Sequence, residues 1–220
     1  MKEFSFSISG EINDTMAREF SNSIADAKEG DKLFLHINSH GGRVEAAWGM
    51  YNQAHLTFGS HNIRTLAEGE CSSAAILLFM LGNIRTGFQS TRFTFHEFSE
   101  SLYNITRMAL LDMAKVVKKD QKIYEETIAA RMCSANGLGE SKLFEVRLDI
   151  INDWMRSQGT TIWASTALSH SIMTQLVHLD NSIDYDFDNQ YKYNLDDDAV
   201  KCVDEDNDEL LDAFAKPSSK

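Results

Sequence analysis

The chain lacks most of the features that would place it in a broad functional class. Its three cysteines, Cys71, Cys133 and Cys202, are an odd number without metal-ligand spacing. That argues against a disulfide framework or a zinc site and suits a reducing cytoplasm. The longest apolar run, Ala74 to Leu81, is too short to span a bilayer. The opening Met1-Lys2-Glu3-Phe4-Ser5-Phe6 alternates like a strand and has no apolar signal core. The seven histidines form no HExxH pair, and no dinucleotide or P-loop glycine pattern is present. With a net charge of −12 and no basic cluster, the chain is a poor nucleic-acid binder, because phosphate contact needs grouped Lys and Arg.

What remains is ordinary globular material. The 220 residues are 43% hydrophobic and 25% charged, enough for one domain with a real core. The acidity is uneven. From Asp180 onward stand 13 acidic and 4 basic residues, so the last segment holds −9 of the net charge. Residues 1–180 therefore read as the domain. Residues 181–220 read as an acidic, flexible tail, either a solubilising extension or a partner-binding one, with a short docking helix at Glu209–Phe214.

Along the domain, strands and helices alternate. Phe4–Ser9 reads as a strand broken by Gly10, and Asn13-Asp14 caps a helix to about Ala27. Lys32–Ile37 reads as a buried strand, Asn38–Gly42 as a turn, Val44–Leu56 as a helix and Asn62–Ala67 as a strand. Ser72–Leu81 reads as a buried helix, and Ile84–Thr86 and Arg92–His96 as short strands. This order suits α/β units around a mainly parallel sheet. From Ser101 to about Met132 runs one long amphipathic pattern without proline or glycine, including Leu102, Ile105, Leu110, Met113 and Ile128. Such a helix projects and makes subunit contacts. Helices over Ser141–Met155 and Thr166–Val177 follow.

Three fragments carry possible chemistry. Gly41-Gly42 ends a strand, where paired glycines free backbone N–H groups and allow close approach. A tight turn is the plainer reading. Ser72-Ser73 opens the buried helix, where a serine meets positive potential and the next N–H can face an oxyanion. Serine is also a favoured N-cap. His96 closes a strand and could serve as a base or as a structural hydrogen-bonder.

In order, these fragments resemble a known family. Leu33 to Val44, with Asn38-Ser39-His40-Gly41-Gly42, resembles the strand and glycine turn of the Clp protease proteolytic-subunit family. Gly69-Glu70-Cys71-Ser72-Ser73-Ala74-Ala75 resembles its nucleophile segment, whose glycine lies four residues before the serine. Arg92-Phe93-Thr94-Phe95-His96 resembles its histidine strand, and Ser5 to Asp14 its first strand and turn. The likeness is nearest to diverged members from bacteriophages, which implies a bacterial host cytoplasm.

The resemblance implies a ClpP/crotonase-type stack of ββα units with a long protruding handle helix. It implies a serine endopeptidase acting on unfolded or phage structural polypeptides, with neither cofactor nor metal. Ser73 would be the nucleophile, His96 the base, and the N–H groups of Gly42 and Ala74 the oxyanion hole. A homo-oligomeric ring, hexameric or heptameric, single or stacked, would be the working form, without nucleic acid or membrane. The family's ATP-dependent unfoldase meets an N-terminal segment that has no counterpart before the first strand here.

Two departures stand out. His40 occupies a position where the family usually has proline. The family's catalytic Asp, shortly before a late helix, falls here on Thr160 or Thr161. Asp149 or Asp153 would have to fold back to replace it. The chain is then a triad with a relocated acid, a Ser–His dyad aided by a threonine, or a catalytically impaired ring subunit or scaffold. A crotonase-like acyl-CoA enzyme on the related fold is a further alternative, although no basic cluster for a CoA phosphate is present.

Overall fold

A computed structural model describes residues 1–99, 106–133, 141–156, 159–178 and 180–185. The acidic stretch from 186 onward, with its candidate docking helix, lies outside them, as do Leu102 and Ile105.

The body is a sheet with helices packed against it. β1 (Glu3–Ile12), β2 (Lys32–Gly42), β3 (Ile63–Ser72) and β4 (Ile84–Phe88) pair in parallel in that order. Then come β7 (Gln175–Val177), parallel to β4, and β8 (Ile183–Tyr185), antiparallel to β7. The crossovers are α1 (Asp14–Ser23), α2 (Val44–Phe58) and α3 (Ala74–Phe79). Every side chain of α3 is fully buried, as expected for a helix apolar on all sides. In α1, the Asn13 side chain accepts the Met16 N–H at 3.0 Å. Asn13→Ala is expected to lower stability by about 1 kcal/mol, read from the urea midpoint.

The sheet divides at β3. Its first half, Arg64–Ala67, pairs with β4. Its second half, Glu70–Ser72, pairs with β5 (Arg92–Phe95), and β5 pairs antiparallel with β6 (Thr160–Trp163). Thr91, fully buried, sits in the fork: its hydroxyl donates to Ala67 O at 2.9 Å and accepts the Phe88 N–H at 3.0 Å. Between Ile37/Ala67 and Ser39/Cys71, β3 uses more residues than β2, a bulge that bends the strand. The Asn38 side chain takes up the displaced Glu70 N–H at 3.0 Å.

Beyond the branch lie α4 (Arg107–Met132), α5 (Ser141–Arg156) and α6 (Ala164–Ser169). The first turns of α4 stand clear of the body, with Met108 66% exposed. Its last turns are buried through Tyr124, Ile128 and Met132. No helix among the described residues is long and apolar enough to cross a membrane.

Four segments depart from the sequence expectation. Gly10 does not end β1; at φ 74° it forms an irregularity, and the strand runs on to Ile12. Asn38–Gly42 is strand, not turn, because Gly41 and Gly42 pair with Glu11 and Ile12. The long helix begins at Arg107, where Thr106 Oγ1 accepts the Ala109 N–H. Thr166–Val177 is no single helix. The N–H groups of Ile172 and Met173 both turn back to Ala167 O, Ser171 takes φ 59°, and the chain leaves as β7.

Candidate active site

Ser73 sits where the forked strand becomes α3. Its backbone is at φ 55°, ψ −128°, a strained conformation for a residue with a Cβ. It holds the N-cap position, yet its side chain caps nothing. The capping explanation for this serine therefore fails. Its N–H donates to Thr94 O at 2.9 Å, so β5 holds the corner. Ser72 differs in every respect: it is buried in β3, and its hydroxyl donates to Glu70 Oε1 at 3.1 Å.

The glycine pair is shaped by this corner. A Cβ on Gly41, at φ 97°, would lie 2.6 Å from Ser73 Cβ and 3.1 Å from Ala74 N. A Cβ on Gly42, at φ 149°, would overlap the Ile12 carbonyl and reach 2.7 Å from Ile12 N. Gly42→Ala is expected to cost roughly 2–5 kcal/mol, combining overpacking with a left-handed backbone, and to lower the urea midpoint accordingly. Gly41 N–H is taken by Ser39 Oγ at 3.0 Å, and Arg43 N–H by Ile12 O at 2.8 Å. Ser39 Oγ in turn donates to Gly10 O at 2.5 Å. His40 is exposed, and nothing in the structure explains its replacement of proline.

His96 follows β5 and is partly buried. It shares the Thr94 side of the strand, opposite the buried Phe93 and Phe95. Among the described residues, no hydrogen bond joins its ring to Ser73 Oγ. Its Nδ1 instead lies 2.8 Å from Glu97 O. A carbonyl only accepts, so this contact requires Nδ1–H and leaves the Nε2 lone pair free in the neutral ring.

The late segment runs beside this strand. Thr161 is opposite Thr94, and their hydroxyls meet at 3.0 Å. Thr160 is opposite Phe95. One step further, the residue beside His96 is Gly159, whose added Cβ would stand 3.9 Å from His96 Cβ. Asp149 and Asp153 are exposed on α5, and no hydrogen bond links either to His96 among the described residues. The corner thus gathers Ser73, Ala74, the glycine pair and the His96 strand. Among the described residues, it brings no carboxylate to the His96 ring.

The model of the Clp protease family matches residues 1–130. The chain belongs to the Clp protease family. Among solved structures, it shares its fold with a mutant ClpP1 from Listeria monocytogenes, at 17% identity and a TM-score of 0.63. That match covers 79% of this chain and 91% of the other. A search of curated proteins returned no match.

In this member of the Clp protease family, α4 reaches back into the corner. Gln121 Oε1 accepts the Phe98 N–H at 3.2 Å, just past His96. Tyr124 Oη donates to Ser73 O at 2.7 Å. Arg131 Nε donates to Met80 O at 2.7 Å, and its Nη2 to Leu81 O and Gly82 O at 3.1 and 2.8 Å. The helix therefore holds both ends of α3. Sequence reasoning missed Tyr124, Gln121, Ser39 and Gly159. Only Ser39 stood inside a recognised fragment.

Proposed function

We propose that the chain is a serine-type endopeptidase. The observation that carries this reading is Ser73: a strained, uncapped serine at a strand-to-helix corner. A merely structural serine gains nothing from that strain. Ser73 Oγ attacks a peptide carbonyl while His96 Nε2 takes its proton. His96 then passes the proton to the leaving amine, and water hydrolyses the acyl-enzyme by the same route. The Ser–His hydrogen bond closes as substrate arrives, since catalytic bonds are often long in free enzymes.

The N–H groups of Gly42 and Ala74 hold the oxyanion. Gly41 and Arg43 direct their N–H groups to Ser39 Oγ and Ile12 O, and alternation along a strand supports a Gly42 N–H facing the opposite edge. Each such donor is worth about 100- to 1,000-fold in rate. The exposed end of β2 offers an edge for an extended polypeptide. The exposed apolar side chains Met108, Leu110, Leu111 and Val116 on projecting α4 suit contact between subunits of a ring.

The test is reaction with a fluorophosphonate probe and mapping of the adduct. Labelling at Ser73 is expected, and a protein left unlabelled would refute the peptidase reading. One observation favours a second reading, an impaired ring subunit: His96 Nδ1 is held by a carbonyl rather than a carboxylate. Peptide hydrolysis above a Ser73→Ala control rules that out. The family match favours peptide over acyl-CoA thioester as substrate.

A further inference from the structure

The Ser73 carbonyl receives two donors. Ile76 N–H reaches it at 3.0 Å, and Tyr124 Oη at 2.7 Å. A peptide unit is planar and trans, so the Ser73 carbonyl and the Ala74 N–H point in opposite directions from one rigid plate. Gripping the oxygen on one side sets where the N–H points on the other. The plate needs holding. Ser73 is strained, and α3, at six residues, supplies few bonds of its own.

Tyr124 suits the task. It is 1% exposed and meets the Phe98 ring edge-on at 5.2 Å, which fixes its orientation. Burial, then Cys71 and Glu125 nearby, push its phenol well above the usual range, so it remains a donor. α4 cannot slide to release it. Arg131, two turns on, is bound to carbonyls at the far end of α3, and Gln121 is bound to the Phe98 backbone.

We infer that Tyr124 is a positioning residue for the oxyanion hole, aiming the Ala74 N–H through the Ser73–Ala74 peptide plate. The inference rests on Ser73 being the nucleophile. It makes Tyr124 matter for the bond-forming step, with little influence on probe affinity or on proton transfer by His96.

Tyr124→Phe removes one oxygen and keeps the ring and its packing. Saturation kinetics of fluorophosphonate labelling would be compared with the wild type on the full chain. The maximal labelling rate is expected to fall about 10- to 100-fold, part of what a whole oxyanion donor supplies. The half-saturating probe concentration and the pH midpoint of labelling are expected to stay unchanged. Ile128→Val, one turn along α4 and equally buried, loosens the same packing without touching the carbonyl and is expected to label at the wild-type rate.

A wild-type maximal rate in Tyr124→Phe overturns the inference and leaves the peptidase reading intact. An equal fall in Ile128→Val overturns it too, because packing alone would then explain the loss. A wild-type protein without label at Ser73 overturns both.

Discussion

Ser73→Ala is expected to abolish fluorophosphonate labelling and to lower peptide hydrolysis roughly a million-fold, the scale of loss when a serine nucleophile is removed. Ser72→Ala, one residue earlier, is expected to leave both in place. The contrast follows from the strand-to-helix corner. Ser72 is 4% exposed and its hydroxyl is committed to Glu70. Ser73 has an uncommitted side chain at the N-cap of α3. Alanine at 73 carries the same Cβ into the same strained backbone, so the fold should tolerate it and the thermal midpoint should barely move. Labelling that persists in Ser73→Ala would reject the assignment. Labelling lost in Ser72→Ala at an unchanged thermal midpoint would move the nucleophile by one position.

Much of this corner was legible in the sequence because it is local. The resemblance, through Gly69 four residues ahead, singled out Ser73 over Ser72, and the apolar strand ending at His96 was readable from its own residues. The buried strands and α3 were legible because runs of apolar residues have few other places to go. What escaped depends on distant partners. The Asn38–Gly42 segment reads as a turn from its own composition, yet β1 recruits it as a strand. Thr166–Val177 has apolar residues at helical spacing, but Ser171 turns the chain and Gln175–Val177 completes the β4 edge. Tyr124 is one aromatic residue on a long amphipathic helix. Its contact with Ser73 spans 51 residues, and no local pattern announces it.

The same limit applied to the missing acid. The family resemblance put the acid position at Thr160 or Thr161; the β5–β6 register sets these residues opposite Phe95 and Thr94, with Gly159 beside His96. A register offset of one residue changes which side chain can meet the imidazole. Among the described residues, the group that meets His96 Nδ1 is the Glu97 carbonyl rather than a carboxylate. In serine proteases, changing the triad Asp to Asn costs about 10,000-fold because the histidine is held in the wrong tautomer. A carbonyl avoids that failure, since it selects Nδ1–H. What it does not supply is negative charge to stabilise the imidazolium formed during attack.

Gly159→Asp is therefore expected to raise peptidase activity. A carboxylate about 4 Å from an imidazolium is worth about 4 kcal/mol at an effective dielectric near 20. His96 is only partly buried, and solvent screening reduces that value. The expected gain in kcat/KM is about 5- to 50-fold, at tenfold per 1.4 kcal/mol. Gly159 has φ 110°, so any side chain there adds strain of about 1–2 kcal/mol, although Asp and Asn bear positive φ better than most residues. Gly159→Asn is the matched control, with the same shape and strain but no charge, and is expected to show no gain. A nearby carboxylate stabilises the imidazolium formed during attack. If the Asp variant is no faster than the Asn variant, a charge at position 159 does not reach the imidazole, and Glu97 O is the working partner of His96 on its own.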